Sequence, residues 1–414
     1  MATLIAGLRG SGTADWGTSE RPKNFRESIL WLNPNGMTPL TALMSKAKKQ
    51  TTDDPEYNWY EEEMDIVRLT MNGAAAVADD DWVVVSGANN LKTGDLLLVE
   101  TTMADAYANE IVQVNVVTSD TVFSVIRPAC GTTEATVPDA TVLTLIGSQY
   151  AEGVGAPDAV SRNPTKFVNY TQIFKDAYEL TGTAEQTRFR TGDPIKNDKK
   201  RKMFDHATRM ELGFLFGRGS VAETGGTNGK PLRTTNGILG MLADAKAGDS
   251  SGGHDHCVKH WTAAPTAATF LTAAYKMFDF TRGGQGSTNE RIVFAGNLFL
   301  NKLNTIAVGG TNERIKYDGI VKVYGMNLQR WVLPQGELYI RTHPLLNRHA
   351  VFSESAFFLD FSGIVYRPMK GRDTRFQDNI QANDADSRKG QWITEAGLEM
   401  QHTTTMAYWG AFDQ

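Results

Sequence analysis

A long helix is predicted from the stretch DPIKNDKKRKMFDHATRMELGFLFG at residues 193–217. Asp193 is a suitable N-cap, Pro194 suits the first helical turn, and Gly217 ends the pattern. Apolar side chains recur at helical spacing along one face, with two more beside it: Met203, Ala207, Met210, Phe214, Phe204 and Leu215. About 23 residues at 1.5 Å each give roughly 35 Å. The stretch therefore predicts a one-sided helix long enough to act as the spine of a domain.

The same helix carries the densest basic run in the chain. Residues 194–218 have a net charge of +4, and most of the basic side chains lie close together: Lys196, Lys199, Lys200, Arg201 and Lys202. The plainest interpretation is a solvated helix face, and nucleic-acid contact is weakly supported because no aromatic side chains alternate with the basic ones. A third interpretation is that the run binds an acidic surface of a neighbouring copy. Exposed ion pairs contribute only about 0–1 kcal/mol each, so they would set register more than affinity.

An acidic, aromatic segment offers such a surface. Residues 51–67 contain no Lys or Arg, three aromatic residues (Tyr57, Trp59 and Tyr60), and seven acids: Asp53, Asp54, Glu56, Glu61, Glu62, Glu63 and Asp65. A solvated turn leading into a strand would explain this composition. The alternative is that residues 53–65, the acidic strip, dock on a basic surface elsewhere. On that hypothesis the basic side is Lys199, Lys200 and Arg201, and the acidic side includes Trp59, Glu61, Glu62 and Glu63.

The first 55 residues are predicted to form an extended N-terminal arm. Glycines punctuate a polar opening, and a strong turn signal follows at residues 33–36, before a short helix from Thr38 to Ala47. Large apolar side chains are present, but few potential partners lie near them in sequence. They must pack on the rest of this chain or on another copy, and we expect interface residues at Phe25, Trp31 and Leu32.

Residues 66–147 have the pattern of a small all-β domain. Short apolar runs with turn residues between them predict about five strands, and the two at residues 111–116 and 121–126 form a hairpin. About 80 residues of this kind suggest a small barrel or sandwich. Residues 236–369 instead predict an α/β region, with helices at 267–280 and 298–306 and strands at 291–294, 321–324, 328–332 and 338–340. The closing segment Leu398–Phe412 predicts one last strand.

Composition excludes several classes of protein. The 414 residues carry a net charge of −5, so no global positive field favours nucleic acid. Cys130 and Cys257 cannot form a disulfide scaffold. No segment approaches the roughly 18 consecutive apolar residues of a membrane-spanning helix, and the start lacks the features of a secretory signal.

Catalytic and metal sites find little support. The sequence lacks the Gly-x-Ser-x-Gly and His-Glu-x-x-His motifs, and the glycines at 283–286 follow a helix and lack the Gly-Lys-Ser/Thr ending of a phosphate loop. The segment His254–His260 contains His and Cys side chains that could bind zinc. It follows a flexible loop, however, and a polar surface loop explains it better. We predict no enzyme activity and no cofactor, although a metal-dependent enzyme or ligand-binding protein with a β insertion is a competing class.

The order of these parts resembles the major capsid proteins of tailed double-stranded DNA bacteriophages, in the branch with a β domain inserted in the extended loop. The likeness rests on residues 32–43, Tyr57–Glu62, Gly94–Leu96, Asn109–Val112 and 123–135. It implies an α+β fold shared with encapsulin compartments, with five parts: an N-terminal arm (1–55), an extended loop with its inserted β domain (56–182), a peripheral domain with the spine helix (183–235), an axial domain (236–369) and a return to the peripheral domain (370–414).

The resemblance also implies function. Such proteins form hexamers and pentamers of an icosahedral head around double-stranded DNA, within a virion assembled in the bacterial cytoplasm. The expected partners are other copies of the chain, with portal, scaffolding or decoration proteins and weak non-specific contact with DNA, but no membrane. An encapsulin-like protein compartment is the nearest alternative. The unpartnered arm and the projecting β block agree with assembly, because obligate interfaces typically bury about 2,000–5,000 Å².

Overall fold

The structure, a computed structural model, describes residues 40, 48–62, 67–101, 109–156, 163–189, 192–248, 254–263, 265–279, 289–309, 316–323 and 326–410. Within them lie five α-helices: α1 (Gly182–Gln186), α2 (Pro194–Phe216), α3 (Ile238–Gly248), α4 (Ala267–Ala274) and α5 (Asn297–Gly309). Short 3-10 helices occupy Ala88–Asn90, Tyr275–Phe278, Leu346–Arg348, Phe352–Glu354, Phe361–Gly363 and Thr403–Thr405.

The same residues form strands β1 to β22: β1 (Lys48–Lys49), β2 (Glu56–Glu61), β3 (Arg68–Thr70), β4 (Asp81–Val83), β5 (Asp95–Glu100), β6 (Ile111–Val117), β7 (Val122–Ile126), β8 (Val142–Ser148), β9 (Thr165–Tyr170), β10 (Gln172–Thr181), β11 (Ser220–Ala222), β12 (Leu232–Thr234), β13 (Val258–His260), β14 (Glu290–Ala295), β15 (Lys316–Val323), β16 (Met326–Val332), β17 (Glu337–Thr342), β18 (Ala356–Leu359), β19 (Ile364–Pro368), β20 (Arg375–Gln377), β21 (Ser387–Met400) and β22 (Ala407–Gly410).

The chain divides into two compact units, and residues 60–166 form the smaller one. It contains an antiparallel six-stranded sheet in the order β3-β8-β5-β6-β7-β4. Alternating side chains bury a core around Trp82 and Phe123, whose rings meet edge to face at 6.3 Å. The Arg127 guanidinium forms a fully buried ion pair with Glu110 at 2.6 Å and lies 5.1 Å from the Trp82 ring. The predicted hairpin at residues 111–126 is present as β6 and β7.

The larger unit comprises residues 1–59 and 167–414. One of its sheets has the order β1-β19-β21-β10, with β20 also paired to β21. A second, seven-stranded sheet has the order β13-β22-β18-β14-β17-β16-β15. Two small ladders, β11-β12 and β2-β9, complete the pairing among the described strands. The long β21 therefore lies in the first sheet, while the last strand, β22, lies in the second.

The helix α2, called the spine helix below, packs on β10 in one continuous apolar core. Phe214 on the helix and Phe174 on β10 meet edge to face, with ring centroids 5.7 Å apart. A Cβ atom at Gly213 would lie 3.0 Å from the Phe174 ring, tighter than almost all real Cβ contacts. Glycine at this position therefore lets the helix approach the sheet closely.

One element of the sequence prediction is wrong. The segment Leu398–Phe412 was expected to be a single strand, but β21 ends at Met400 and β22 begins at Ala407. His402 adopts a left-handed conformation with φ of 53°, and a 3-10 helix at Thr403–Thr405 follows it. This break carries the chain from one sheet to the other. The segment alternates only weakly between apolar and polar residues because it contains parts of two strands that belong to different sheets.

Candidate assembly surfaces

The spine helix begins and ends where the sequence predicts. The Asp193 carboxylate accepts hydrogen bonds from the backbone amides of Ile195 at 2.9 Å and Lys196 at 3.4 Å, so it caps the first turn. Pro194 fills the first helical position. At the other end, a Cβ atom at Gly217 would collide with the carbonyl oxygen of Gly213. Local features, the Asp193 cap and Gly217, mark the two ends of the helix, and both can be read from the sequence.

The apolar stripe of the spine helix is only partly enclosed. Met210, Phe214 and Leu215 are buried, whereas Met203 is 56% exposed. The stripe forms one wall of a groove of about 460 Å³, called the spine groove, whose apolar lining is Met203, Ala207, Met210, Phe214, Tyr366 and Trp392. Met203 is the exposed side chain of this apolar lining.

Two polar side chains of the spine helix are buried, and the sequence did not reveal them as part of the interior. His206 lies 3.0 Å from an Asp176 oxygen through Nδ1 and 2.8 Å from the Thr394 hydroxyl through Nε2. Asp176 also forms an ion pair with Arg209 one turn further along. The group joins the helix to β10 and β21.

Glu211 makes the second buried polar contact. Its Oε1 lies 2.8 Å from Nε2 of His343 and accepts a 2.8 Å hydrogen bond from the backbone amide of Leu40. The side chains of Glu211 and His343 are both fully buried. Leu40 belongs to the predicted arm, so this part of the arm contacts the body of its own chain.

The basic run lies along the exposed first turns of the spine helix. Lys200 and Arg201 are exposed, whereas Lys199 is half-buried with its ammonium 3.6 Å from the centroid of the Phe376 ring. The Lys199 carbonyl accepts a 3.3 Å hydrogen bond from the Trp392 indole. Within the run, Lys199 therefore adjoins Trp392, which lines the spine groove.

Strand β2 divides the acidic strip between two faces. Tyr57, Trp59 and Glu61 are buried, and the Trp59 ring stacks between Tyr57 and Phe167 at centroid distances of 6.3 and 5.8 Å. Burial raises the pKa of Tyr57, whose hydroxyl donates to the Leu398 carbonyl at 2.8 Å. The opposite face is exposed: Glu56, Asn58 and Tyr60, followed by Glu62.

The predicted interface residues differ in where the structure places them. Phe25, Trp31, Leu32 and Glu63 lie outside the described residues. Among the others, Glu62, Lys200 and Arg201 are exposed, and Trp59 and Glu61 are buried in the subunit. An assembly role stays a prediction for every one of them. Tyr60, which the sequence did not single out as an interface residue, is the large exposed side chain on this face.

The segment His254–His260 is not the polar surface loop that the sequence suggested. His256 and Cys257 are buried, and Val258–His260 form β13 beside the last strand. His256 Nε2 donates to the Thr404 carbonyl at 2.7 Å, and the Trp409 indole donates to the His256 carbonyl at 3.1 Å. Residues 403–409 cover the segment. Because they are about 150 residues away in sequence, the local sequence pattern could not reveal this contact. Among the residues that the structure describes, no three His, Cys, Asp or Glu side chains are grouped to hold a metal ion.

The described helices include none with the length and apolar character needed to span a bilayer.

Comparison with known proteins gives consistent matches. The family model described as SU10 major capsid protein matches residues 9–409. The chain is 26% identical over 365 residues to the major capsid protein of Pseudomonas phage PaMx41, covering 86% of this chain and 81% of that protein. Among solved structures, a capsid chain of the empty GTA particle is similar over 98% of this chain and 100% of that chain, with 10% identity and a TM-score of 0.50. A chain from Microbacterium phage Oxtober96 matches over 97% and 99%, with 11% identity and a TM-score of 0.44.

Proposed function

The chain belongs to the SU10 major capsid protein family, and we propose that its copies join as hexamers and pentamers through the acidic strip of one copy and the basic run of the next. The protein is a structural, non-enzymatic subunit that forms the icosahedral head of a tailed phage. The predicted α+β capsid fold and the self-assembling function are confirmed. The mode of assembly is the proposal.

The observation that carries this proposal is the uneven distribution of charge along the chain. Residues 60–166 contain 16 acidic and five basic residues, so this unit has a net charge of −11 and the rest of the chain has +6. Copies with such a distribution attract when the acidic unit of one meets a basic surface of another. Glu62, at the start of the acidic unit, and Glu56 on β2 just before it are exposed, as are Lys200 and Arg201, and they provide the two surfaces.

The arm supplies the second contact in this proposal. Phe25, Trp31 and Leu32 bring large apolar side chains, and aromatic residues are typical anchors of stable interfaces. Ion pairs at an exposed surface contribute little affinity, so the arm anchors would stabilise the shell and the charged surfaces would set the register.

The proposal also includes partners other than copies of the chain. The double-stranded DNA in the head would meet a chain with a net charge of −5, which favours weak and non-specific contact. Portal, scaffolding or decoration proteins would bind the assembled surface.

The docking proposal is tested by charge reversal. Changing Lys199, Lys200 and Arg201 together to Glu should lower the yield of closed particles strongly while leaving subunit folding intact, because these side chains lie at or near the surface. Particle yield is measured by sedimentation and negative-stain microscopy, and folding by circular dichroism. A compensating change of Glu56 and Glu62 to Lys in the same chain should restore part of the yield.

The matched control reverses three exposed lysines away from the spine helix, Lys166, Lys175 and Lys230. It changes the net charge by the same amount, so a general charge effect would lower the yield equally. Unchanged particle yield after reversal of the basic run would contradict the docking proposal.

A further inference from the structure

The spine groove is an apolar groove among the described residues of the larger unit. The buried Met210 and Phe214 line it, together with the exposed Met203 and with Trp392. Polar groups also line it, since Asp373 and Thr374 border the cavity and Lys49 forms an ion pair with Asp373. The groove therefore suits a ligand with an apolar body and a polar tip. A volume of about 460 Å³ is within the range of about 300–1,000 Å³ that is typical of binding pockets.

Tyr60 has the shape and exposure of such a ligand. Its side chain is 65% exposed, the most exposed of the large apolar and aromatic side chains among the described residues. The alternation of β2 holds it on the outward face, because its neighbours Trp59 and Glu61 point inward. Glu56 and Glu62 lie on the same side of the chain and are exposed.

We propose that Tyr60 of one copy inserts into the spine groove of a neighbouring copy. The inference rests on the docking of the acidic strip on the basic run and names the contact that anchors it. In this arrangement the ring covers Met203 and Trp392, and the phenol hydroxyl reaches the polar groups of Asp373 and Thr374. The acids that flank Tyr60 then meet the basic run at the mouth of the groove.

Two physical arguments select a second copy as the occupant. The first is charge, because the carbonyl of Lys199, within the basic run, accepts a hydrogen bond from the indole of Trp392, which lines the groove, and Tyr60 lies in a segment of seven acids without a base. The second is chemistry: tyrosine buries a large ring at low entropic cost and keeps a hydroxyl for hydrogen bonding, so it is enriched among interface hot spots. Ion pairs alone would not hold the copies together.

A cross-linking experiment tests the contact directly. In a background with Cys130→Ser, which removes the exposed native thiol, subunits with Tyr60→Cys and subunits with Met203→Cys are co-expressed, and their particles are treated with a short bismaleimide. We expect a cross-linked dimer on a denaturing gel, in a yield well above that from the control pair Tyr150→Cys and Met203→Cys. Tyr150 is another exposed tyrosine of the same unit.

The outcomes separate this inference from the function on which it rests. Intact particles without the dimer, or with a yield equal to that of the control, would overturn the insertion of Tyr60 and leave the shell function standing. A chain that carries both cysteines and cross-links only within itself would also overturn it, because the occupant would then be the same copy. Absence of particles from the unsubstituted chain would instead count against the proposed mode of assembly.

Substitution gives an independent measure. Tyr60→Ala should weaken association of the subunits by about 30-fold, the effect of losing an interface hot spot, while Tyr60→Phe should retain most of the affinity because the ring is preserved. The concentration of subunit at which particles form reports the change. Equal values for Tyr60→Ala and the control Tyr150→Ala would contradict the proposal.

Discussion

At the scale of single residues, the sequence identified the cap of the spine helix but not the polar groups buried along it. His206 and Glu211 fall within a strongly charged helix and look like solvated side chains. Their partners are distant in sequence, since Thr394 lies 188 residues from His206 and His343 lies 132 residues from Glu211. No local pattern reports contacts of that range. Only the fold shows that the two side chains face the interior.

The contact of Glu211 leads to a stability prediction. Glu211→Ala would leave the His343 imidazole and the Leu40 amide without their buried acceptor, and we expect a loss of about 2–5 kcal/mol in the free energy of unfolding of the subunit. Denaturant titration followed by tryptophan fluorescence measures it. The control is Glu223→Ala at an exposed position, which should change stability by less than about 0.5 kcal/mol. Equal stability of the two variants would show that the buried contact contributes nothing.

At the scale of elements, the predictions succeeded where the signal is local. The spine helix was predicted to within a residue because Asp193 and Gly217 mark its ends. The strands of the smaller unit followed from alternation and turn residues. The periodicity of the spine helix showed which face is apolar, but it did not show that Met203 on that face is exposed. The predictions for residues 254–260 and for the last strand were wrong because contacts with residues distant in sequence determine the structure of both segments.

The N-terminal cap of the spine helix can be tested by itself. Asp193→Ala removes the acceptor for two backbone amides and should cost about 1 kcal/mol of subunit stability. Asp193→Ser, which keeps a capping oxygen, should recover most of the loss. Thermal unfolding of the three proteins measures the difference. Serine as destabilising as alanine would mean that the carboxylate acts through some interaction other than capping.

At the scale of the whole molecule, the order of parts carried the functional prediction, and no short motif was needed. The arm prediction is refined by the structure: β1 pairs with β19 in parallel, and Leu40 is buried beside the spine helix. Residues 1–39 of the arm lie outside the described residues, and their contact with neighbouring copies stays a prediction. The charge contrast between the two units is likewise a property of the whole chain that no single element displays.

Removal of that part of the arm should separate folding from assembly. Deletion of residues 1–39 keeps the internal contacts of Leu40 and β1, so we expect soluble, folded subunits that fail to close shells, because Phe25, Trp31 and Leu32 are lost. Circular dichroism and negative-stain microscopy of the truncated and full-length chains provide the comparison. Normal particles from the truncated chain would contradict the role assigned to the arm.

The central claim is that many identical copies of this chain reach their most stable state by tiling a closed surface. Cryo-electron microscopy of the purified full-length protein over a range of concentrations tests it most directly. The account predicts closed shells of uniform diameter, built from clusters of six and five subunits, with Tyr60 of each copy against the spine helix of its neighbour. A compact monomer that persists at high concentration, with its leading residues folded on its own body, would contradict it.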